Sequence, residues 1–299
     1  MSALGYRHQR VQRLRRLVGR RSARAEEGRF VIEGAKLLEE ALAAGAQIEA
    51  VFLGPDWAGG AEDPDRDGSV PSGAGERLRH LVDRAYERGA RIFELEPGVL
   101  ARVSGTVTPQ PVMAVAYLPE VTLADVAARK PRLVAVCVDV RDPGNAGTVA
   151  RSAWAAGADA LVCCEGTVDI WNPKAVRSSA GAVLHLPVVP GGTATDVLAE
   201  IGRWGLRRWG AVSSGGEDYS AADLASPCAL VLGNEASGLS LHELEGGLDG
   251  VVTIPMAPGA ESLNVGMAAA VLFFEASRQR RHGRPTSHVA DPPVPSAER

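Results

Sequence analysis

The run Leu133-Val134-Ala135-Val136-Cys137-Val138 constrains this chain more than any other stretch, because it is apolar throughout and rich in β-branched residues. A strand without polar alternation must be covered on both faces, as a central strand of a parallel sheet is. Strand and helix signals then alternate over 146–156, 160–164, 174–180, 184–189, 194–204 and 229–232. Parallel strands need crossover connections, so the pattern implies an α/β domain with a parallel sheet flanked by helices. A helix with a long apolar face over 263–280 closes it, and the Pro- and Ser-rich tail 282–299 is expected to be disordered.

Upstream, Val11, Leu14, Leu17 and Val18 recur at helical spacing within 9–24, with arginines on the other faces. Nine arginines (Arg7, Arg10, Arg13, Arg15, Arg16, Arg20, Arg21, Arg24, Arg29) fall in the first thirty residues against Glu26 and Glu27, although the whole chain carries −4. Positive charge is therefore concentrated at one end, which suits contact with nucleic-acid phosphates; the plainer reading is a solvated helix face. Next come a strand at 30–34, a helix at 35–44 stopped by Gly45, and strands at 48–53, 91–95 and 112–117 with a helix at 76–88 between them. The Gly-, Pro- and Asp-rich stretch 55–75 reads as a disordered insertion, and the polar segment 119–131 as a linker. The resulting division is a basic helix over 1–29, a small α/β module over 30–118, a second domain over 132–281 and the tail, which a chain of 299 residues accommodates.

No apolar run approaches the roughly 20 residues of a membrane span, and the Arg-rich start lacks a secretory signal, so a cytoplasmic protein without membrane partners is expected. Cys137, Cys163, Cys164 and Cys228 sit in apolar runs without metal-type spacing and read as buried reduced thiols, with no metal site.

Three segments carry chemistry-bearing residues after or between expected strands, where open parallel sheets place ligands. In Asp139 to Arg151, a Pro-Gly turn opens a helix for which Asn145 is a plausible N-cap, with Arg151 about two turns on. These could hold a phosphate and a ribose, or be only a capped helix with a solvated arginine. In Leu230 to Leu239, a strand enters a Gly-bracketed polar turn that would let backbone approach a ligand, with Asn234 and Glu235 as acceptors; an ordinary strand-to-helix turn is the alternative. In Ile254 to Gly266, a proline-rich loop feeds the last helix, for which Ser262 would be a natural N-cap.

In this order the segments resemble the three motifs of the SpoU/TrmH branch of the SPOUT RNA methyltransferases: Asn145-x-Gly147-x-x-x-Arg151, Leu232-Gly233-Asn234-Glu235-x-x-Gly238, and Ile254-Pro255-Met256 followed by Glu261-Ser262-Leu263-Asn264-Val265. The run Asn172 to Gly181 also resembles that family's stretch between its first two motifs, and Phe30-Val31-Ile32-Glu33-Gly34 the opening of its ribosomal-protein-like substrate-binding domain. The basic start makes the chain more similar to ribosomal-RNA members, including thiostrepton-resistance-like enzymes, than to the short members acting on transfer RNA.

The resemblance implies transfer of a methyl group from S-adenosylmethionine to a ribose 2′-hydroxyl, in 23S ribosomal RNA, by a domain with a C-terminal deep trefoil knot. It implies cofactor contacts at Leu232, Gly233, Asn234, Ile254, Pro255, Met256 and Leu263, many through backbone. Arg151, Asn145, Glu235, Ser262 and Asn264 would form the catalytic set, with Arg151 as a phosphate and ribose clamp. Arg7, Arg10, Arg13, Arg16, Arg20, Arg21 and Arg24 would contact RNA; no DNA partner is expected. A homodimer packed through the knot domain and last helix is implied, although Leu263, Met267, Val271 and Phe274 could equally be core. Two alternatives stay in the same fold: a transfer-RNA 2′-O-methyltransferase, or a non-catalytic RNA-binding or ribosome-assembly protein. A nucleotide-dependent oxidoreductase is disfavoured because no G-x-G-x-x-G follows a strand.

Overall fold

A computed structural model describes residues 3–55, 57, 72–104, 110–242 and 244–282. The expected tail from 283 onward and most of the expected insertion over 55–75 lie outside these residues.

The N-terminal elements are α1 (Gln9–Gly19), α2 (Arg21–Glu27), β1 (Arg29–Glu33), α3 (Ala35–Ala43), β2 (Ile48–Leu53), α4 (Ser72–Glu87), β3 (Arg91–Glu94), α5 (Val99–Ser104) and β4 (Val112–Tyr117). Their strands form a four-stranded sheet in the order β1-β4-β2-β3, in which only β2 and β3 run parallel. Val11, Leu14 and Leu17 of α1 pack with Val99 and Leu100 of α5 on Val31, Phe52 and Val115, while α3 and α4 cover the opposite face. The single helix expected over 9–24 is two. Arg20 between them is extended (φ −127°, ψ 120°), which turns α2 so that Ala23 and Arg24 face inward.

A linker carries α6 (Leu123–Ala128), hidden from the sequence reading by its polar surroundings but marked by a capping box between Thr122 and Asp125. The second domain continues with β5 (Leu133–Cys137), α7 (Pro143–Ala155), β6 (Ala160–Cys163), α8 (Pro173–Ser178), α9 (Ala182–His185), β7 (Val188–Pro190), α10 (Ala194–Arg203), β8 (Arg207–Val212), β9 (Glu217–Asp218), β10 (Cys228–Leu232), β11 (Gly250–Thr253) and α11 (Val265–His282). Its seven strands, ordered β7-β6-β5-β10-β8-β11-β9, are all parallel. Both flanks of β5 are paired and every residue in it is buried, as its unbroken apolar run requires. The chain goes from β5 outward to β6 on one side and returns to β10 on the other. The C-terminal ends of β5 and β10 thus flank a topological switch point, where such sheets bind ligands.

Within the second domain several expectations change. The strand expected over 184–189 is split between α9 and β7, since Pro187 cannot continue a helix. Strands β8 and β11 were not anticipated: Arg207-Arg208-Trp209-Gly210 shows no alternation. Asp142, not Asn145, caps α7 by accepting the Asn145 amide at 3.0 Å. The last helix begins at Val265, past Ser262, and Asn264 accepts the Gly266 amide at 2.9 Å in its place.

The two domains share one continuous apolar cluster. Phe30 meets Trp171 with ring centroids 4.7 Å apart, Arg24 pairs with Asp169, Glu33 with Arg177 and Glu40 with His185. The Phe30 to Gly34 signature and the Asn172 to Gly181 run therefore meet within the domain interface, through Glu33 and Arg177.

Candidate functional site

A cavity of about 390 Å³ opens at the C-terminal edge of the large sheet, beside the switch point. Its floor is apolar, from the buried Leu232, Val252 and Leu272, and its walls are the loop after β10, the loop between β11 and α11, and the end of β8. The loop after β10 is closed on itself: the Asn234 amide donates to the Gly238 carbonyl at 3.0 Å, and the Gly238 amide returns a bond to Asn234 at 2.9 Å. The Asn234 Oδ1 accepts the Ala236 and Ser237 amides. Gly238 has φ +68°, and a Cβ on Gly233 would lie 2.5 Å from the Gly238 carbonyl carbon. Glycine at both positions is what lets the turn fold back so tightly.

Of the residues expected to touch cofactor, Leu232, Gly233, Asn234, Ile254, Met256 and Leu263 line the cavity and Pro255 does not. Of the expected catalytic set, Glu235 and Ser262 line it. Asn145 and Asn264 stand beside it in one hydrogen-bonded chain, with Asn264 Nδ2 donating to Asn145 Oδ1 at 2.8 Å and Asn145 Nδ2 donating to Glu235 Oε1 at 3.0 Å. The Glu235 carboxylate also accepts the Asp142 and Arg141 amides at 2.9 and 3.1 Å. Burial works against its charge, but these bonds outweigh it and hold Glu235 below the usual carboxylate range, hence ionised at neutral pH. Arg151, two turns into α7, is exposed, lies outside the cavity lining and has no hydrogen bond or ion pair among the described residues.

Close helix packing sets these positions. A Cβ on Gly147 would fall 2.4 Å from the Ala175 carbonyl, and one on Gly266 would fall 2.8 Å from Thr148, so glycines bring α8 and α11 against α7. The sequence reading missed Ala211, Val212 and Ser213 as cavity walls because it missed β8. The signal was there in the Gly-Ala-Val run ending at Ser-Ser-Gly-Gly.

The cavity's charge selects its ligand class. Glu235 and Glu261 line it, and among the described residues no lysine or arginine does. A phosphate-rich cofactor would meet repulsion there, whereas a ligand whose sulfonium and ammonium outweigh a single carboxylate meets complementary net charge. S-adenosylmethionine therefore fits the donor and acceptor set that the loop after β10 and the apolar floor present.

The basic end is less free than its composition suggested. Arg24, expected at an RNA surface, is 3% exposed and donates to Asp169 and to the Leu17 and Val18 carbonyls; the turn at Arg20 aimed it inward. Arg13 is tied to Glu27 and Glu49, whereas Arg7, Arg10, Arg16, Arg20 and Arg21 are exposed. Leu263, just before α11, and Met267 and Phe274 on it are 37%, 62% and 48% exposed and Val271 is half-buried, so the expected stripe is not core; Gly266, Ala269, Leu272, Phe273 and Ala276 form the buried face.

Residues 132–274 match the SpoU rRNA Methylase family, and residues 8–114 match the MRM3-like substrate binding domain. A Bacillus subtilis protein named 23S rRNA (guanosine(2553)-2′-O)-methyltransferase RlmP is 34% identical over 251 residues, covering 84% of this chain and 89% of its own. The crystal structure of the SpoU methyltransferase AviRb from Streptomyces viridochromogenes in complex with AdoMet superposes with a TM-score of 0.79 at 28% identity, covering 93% of this chain and 100% of that one. An AdoMet-bound rRNA methyltransferase from Sinorhizobium meliloti gives 0.74 at 26% identity, covering 93% and 96%.

Proposed function

Because this chain belongs to the SpoU rRNA methylase family, we propose that it methylates a ribose 2′-hydroxyl of 23S ribosomal RNA in the cytoplasm, using the cavity after β10 for S-adenosylmethionine. The observation that carries this reading is the chain Asn264–Asn145–Glu235, in which one side chain from each of the three motifs is bonded to the next beside an anionic cavity. Residues 30–118 serve RNA binding and 132–281 catalysis.

When bound, S-adenosylmethionine supplies an electrophilic methyl carbon on a sulfonium. A ribose hydroxyl is a weak nucleophile, so positioning and polarisation carry the protein's share of the work. Arg151 stays protonated and clamps phosphate and ribose. Asn145, fixed at both ends of its amide, and ionised Glu235 offer a preorganised polar edge, with Ser262 and Asn264 completing it. The apolar floor of the cavity would exclude water from a bound sulfonium, which would favour a transfer that discharges a cation.

A homodimer belongs to the same reading, supported by the exposed strip Leu263, Met267 and Phe274 and by the position of Arg151 outside its own cavity, where it can complete a second copy's site. The knotted path belongs to it as well, supported by the way the loops after β10 and β11 wall one cavity.

Arg151→Ala is expected to abolish methyl transfer while leaving cofactor affinity, measured by calorimetry, within about twofold; unchanged turnover removes Arg151 from the mechanism. Met267→Glu together with Phe274→Glu is expected to give a monomer in sedimentation, and a monomeric wild type would remove the dimer.

A further inference from the structure

A second cleft, of about 290 Å³, opens between the two domains, lined by Arg21 and Arg24 from α2 and by Arg141, Gly166, Asp169 and Asn172 from the catalytic domain. Gly166 and Thr167 follow β6, so this cleft lies at the same C-terminal edge of the sheet as the cofactor cavity. Its charge is the opposite: three guanidinium groups face one lining carboxylate.

Those guanidinium groups are not equivalent. Arg24 is used internally, with Asp169 and two carbonyls as partners. Arg21 is exposed and has no hydrogen bond or ion pair among the described residues. The Arg141 side chain is 73% exposed and donates Nε to Asp139 Oδ1 at 2.9 Å, which leaves both Nη groups for another acceptor. An incoming anion can take these without breaking the pair, because a guanidinium serves two acceptors from its two edges.

Arg141 is also fixed relative to the wall of the cofactor cavity. Its amide donates to Glu235 Oε2 at 3.1 Å, and its partner Asp139 accepts Asn234 Nδ2 at 3.1 Å on the other carboxylate oxygen. Asn234 is the residue that closes the cofactor loop. Asp139 itself holds φ +58°, and a Cβ on Gly166 would lie 2.9 Å from its Oδ1, so both the backbone and the cleft floor are shaped to this arrangement.

We propose that Arg21 and Arg141, one from each domain, together hold a single backbone phosphate of the RNA next to the target nucleotide. This rests on the methyltransferase reading and adds the point at which the strand is registered. Asp139 and the Arg141 amide relate that phosphate to Asn234 and Glu235, so anchoring the backbone here sets where the neighbouring ribose falls beside the cofactor cavity. A cleft of this size between two packed domains suits a splayed single strand, in which one phosphate can be gripped alone.

The test uses the full-length protein with Arg21→Gln and Arg141→Gln, singly and together, and a transcript of unmodified large-subunit ribosomal RNA. Each single variant is expected to raise the RNA Kd about threefold to tenfold and to reduce the magnitude of the salt slope by about 0.7–0.9, the signature of one lost phosphate contact. The double variant should fall short of the product of the two single factors, since both arginines serve one phosphate. Thermal stability should not move in either variant, and S-adenosylmethionine affinity should not move in Arg21→Gln, which shows that the exposed substitutions leave the fold intact. Arg141→Lys should recover the salt slope but not the full affinity, because an ammonium keeps the charge without the fork. A wild-type Kd and slope in Arg141→Gln overturns the proposal, and so do single factors that multiply. A wild-type protein that binds the transcript without methylating it defeats the functional reading alone, and the slopes still decide the cleft.

Discussion

Glu49, on β2 of the small domain, and Glu235, in the loop after β10, are both held below the usual carboxylate range, by opposite means. Glu49 is 10% exposed and is met by Arg13 from α1, Arg29 from β1 and Arg91 from β3; the Arg13 hydrogen bond, opposed by burial and helped by Arg29, brings its pKa to about 2. Glu235 is exposed and forms no ion pair among the described residues; neutral amides alone hold it ionised against its partial burial. A carboxylate matched by three cations is electrically closed, so Glu49 acts as a clip fastening α1 to the sheet. A carboxylate solvated by dipoles keeps its charge available to its surroundings, which is what a cavity for a cation requires.

The comparison breaks if the two residues can exchange roles. Glu235→Gln is expected to lower methyl transfer by about 10²-fold or more, because it removes the charge and turns an amide donor toward the Arg141 amide or toward Asn145 and Asp142, with thermal stability nearly unchanged. Glu49→Gln should do the reverse: activity per folded molecule is retained and stability falls. Equal activity losses would mean that Glu235 is merely another structural acid. Gly233→Ala sharpens the same contrast from the backbone side. Its added Cβ meets the Gly238 carbonyl carbon at 2.5 Å, so the loop must open, and S-adenosylmethionine affinity by calorimetry should drop about tenfold. An unchanged affinity would show that the tight turn is not what presents the cofactor contacts.

How much of this was legible in sequence follows from the range over which each feature is determined. The buried run at 133–137 announced a central parallel strand because its burial is written into every residue. The three motifs gave the polar set because each is a short contiguous stretch of sequence, the first at the start of α7 and the other two in loops. Strand β8 was invisible: it carries Arg207 and Arg208 at its exposed start, and only its pairing with β10 and β11 makes it a strand. The fate of Arg24 was equally hidden, since one extended residue at Arg20 and an aspartate 145 positions away decide that it points inward. The capping roles given to Asn145 and Ser262 failed for a shared reason. Asp142 and Asn264 were better placed for the amides concerned, which leaves the Asn145 side chain free for Glu235 and Ser262 free to line the cavity.

The smallest effect lies in the acid limb of stability. Glu49 has a folded-state pKa of about 2 against 4.5 for the free side chain, so its stabilisation is complete above about pH 4.5 and is lost as the pH falls toward 2. Glu49→Gln should therefore cost on the order of 2 kcal/mol at pH 7, with the gap from wild type narrowing steadily below about pH 4.5 in urea titrations. Glu235 shifts in the same direction but through single hydrogen bonds on an exposed side chain, so Glu235→Gln should leave that narrowing intact. If instead the gap for Glu49→Gln is the same at pH 7 and pH 3, the arginines around it hold shape and not charge, and the two carboxylates differ in location alone.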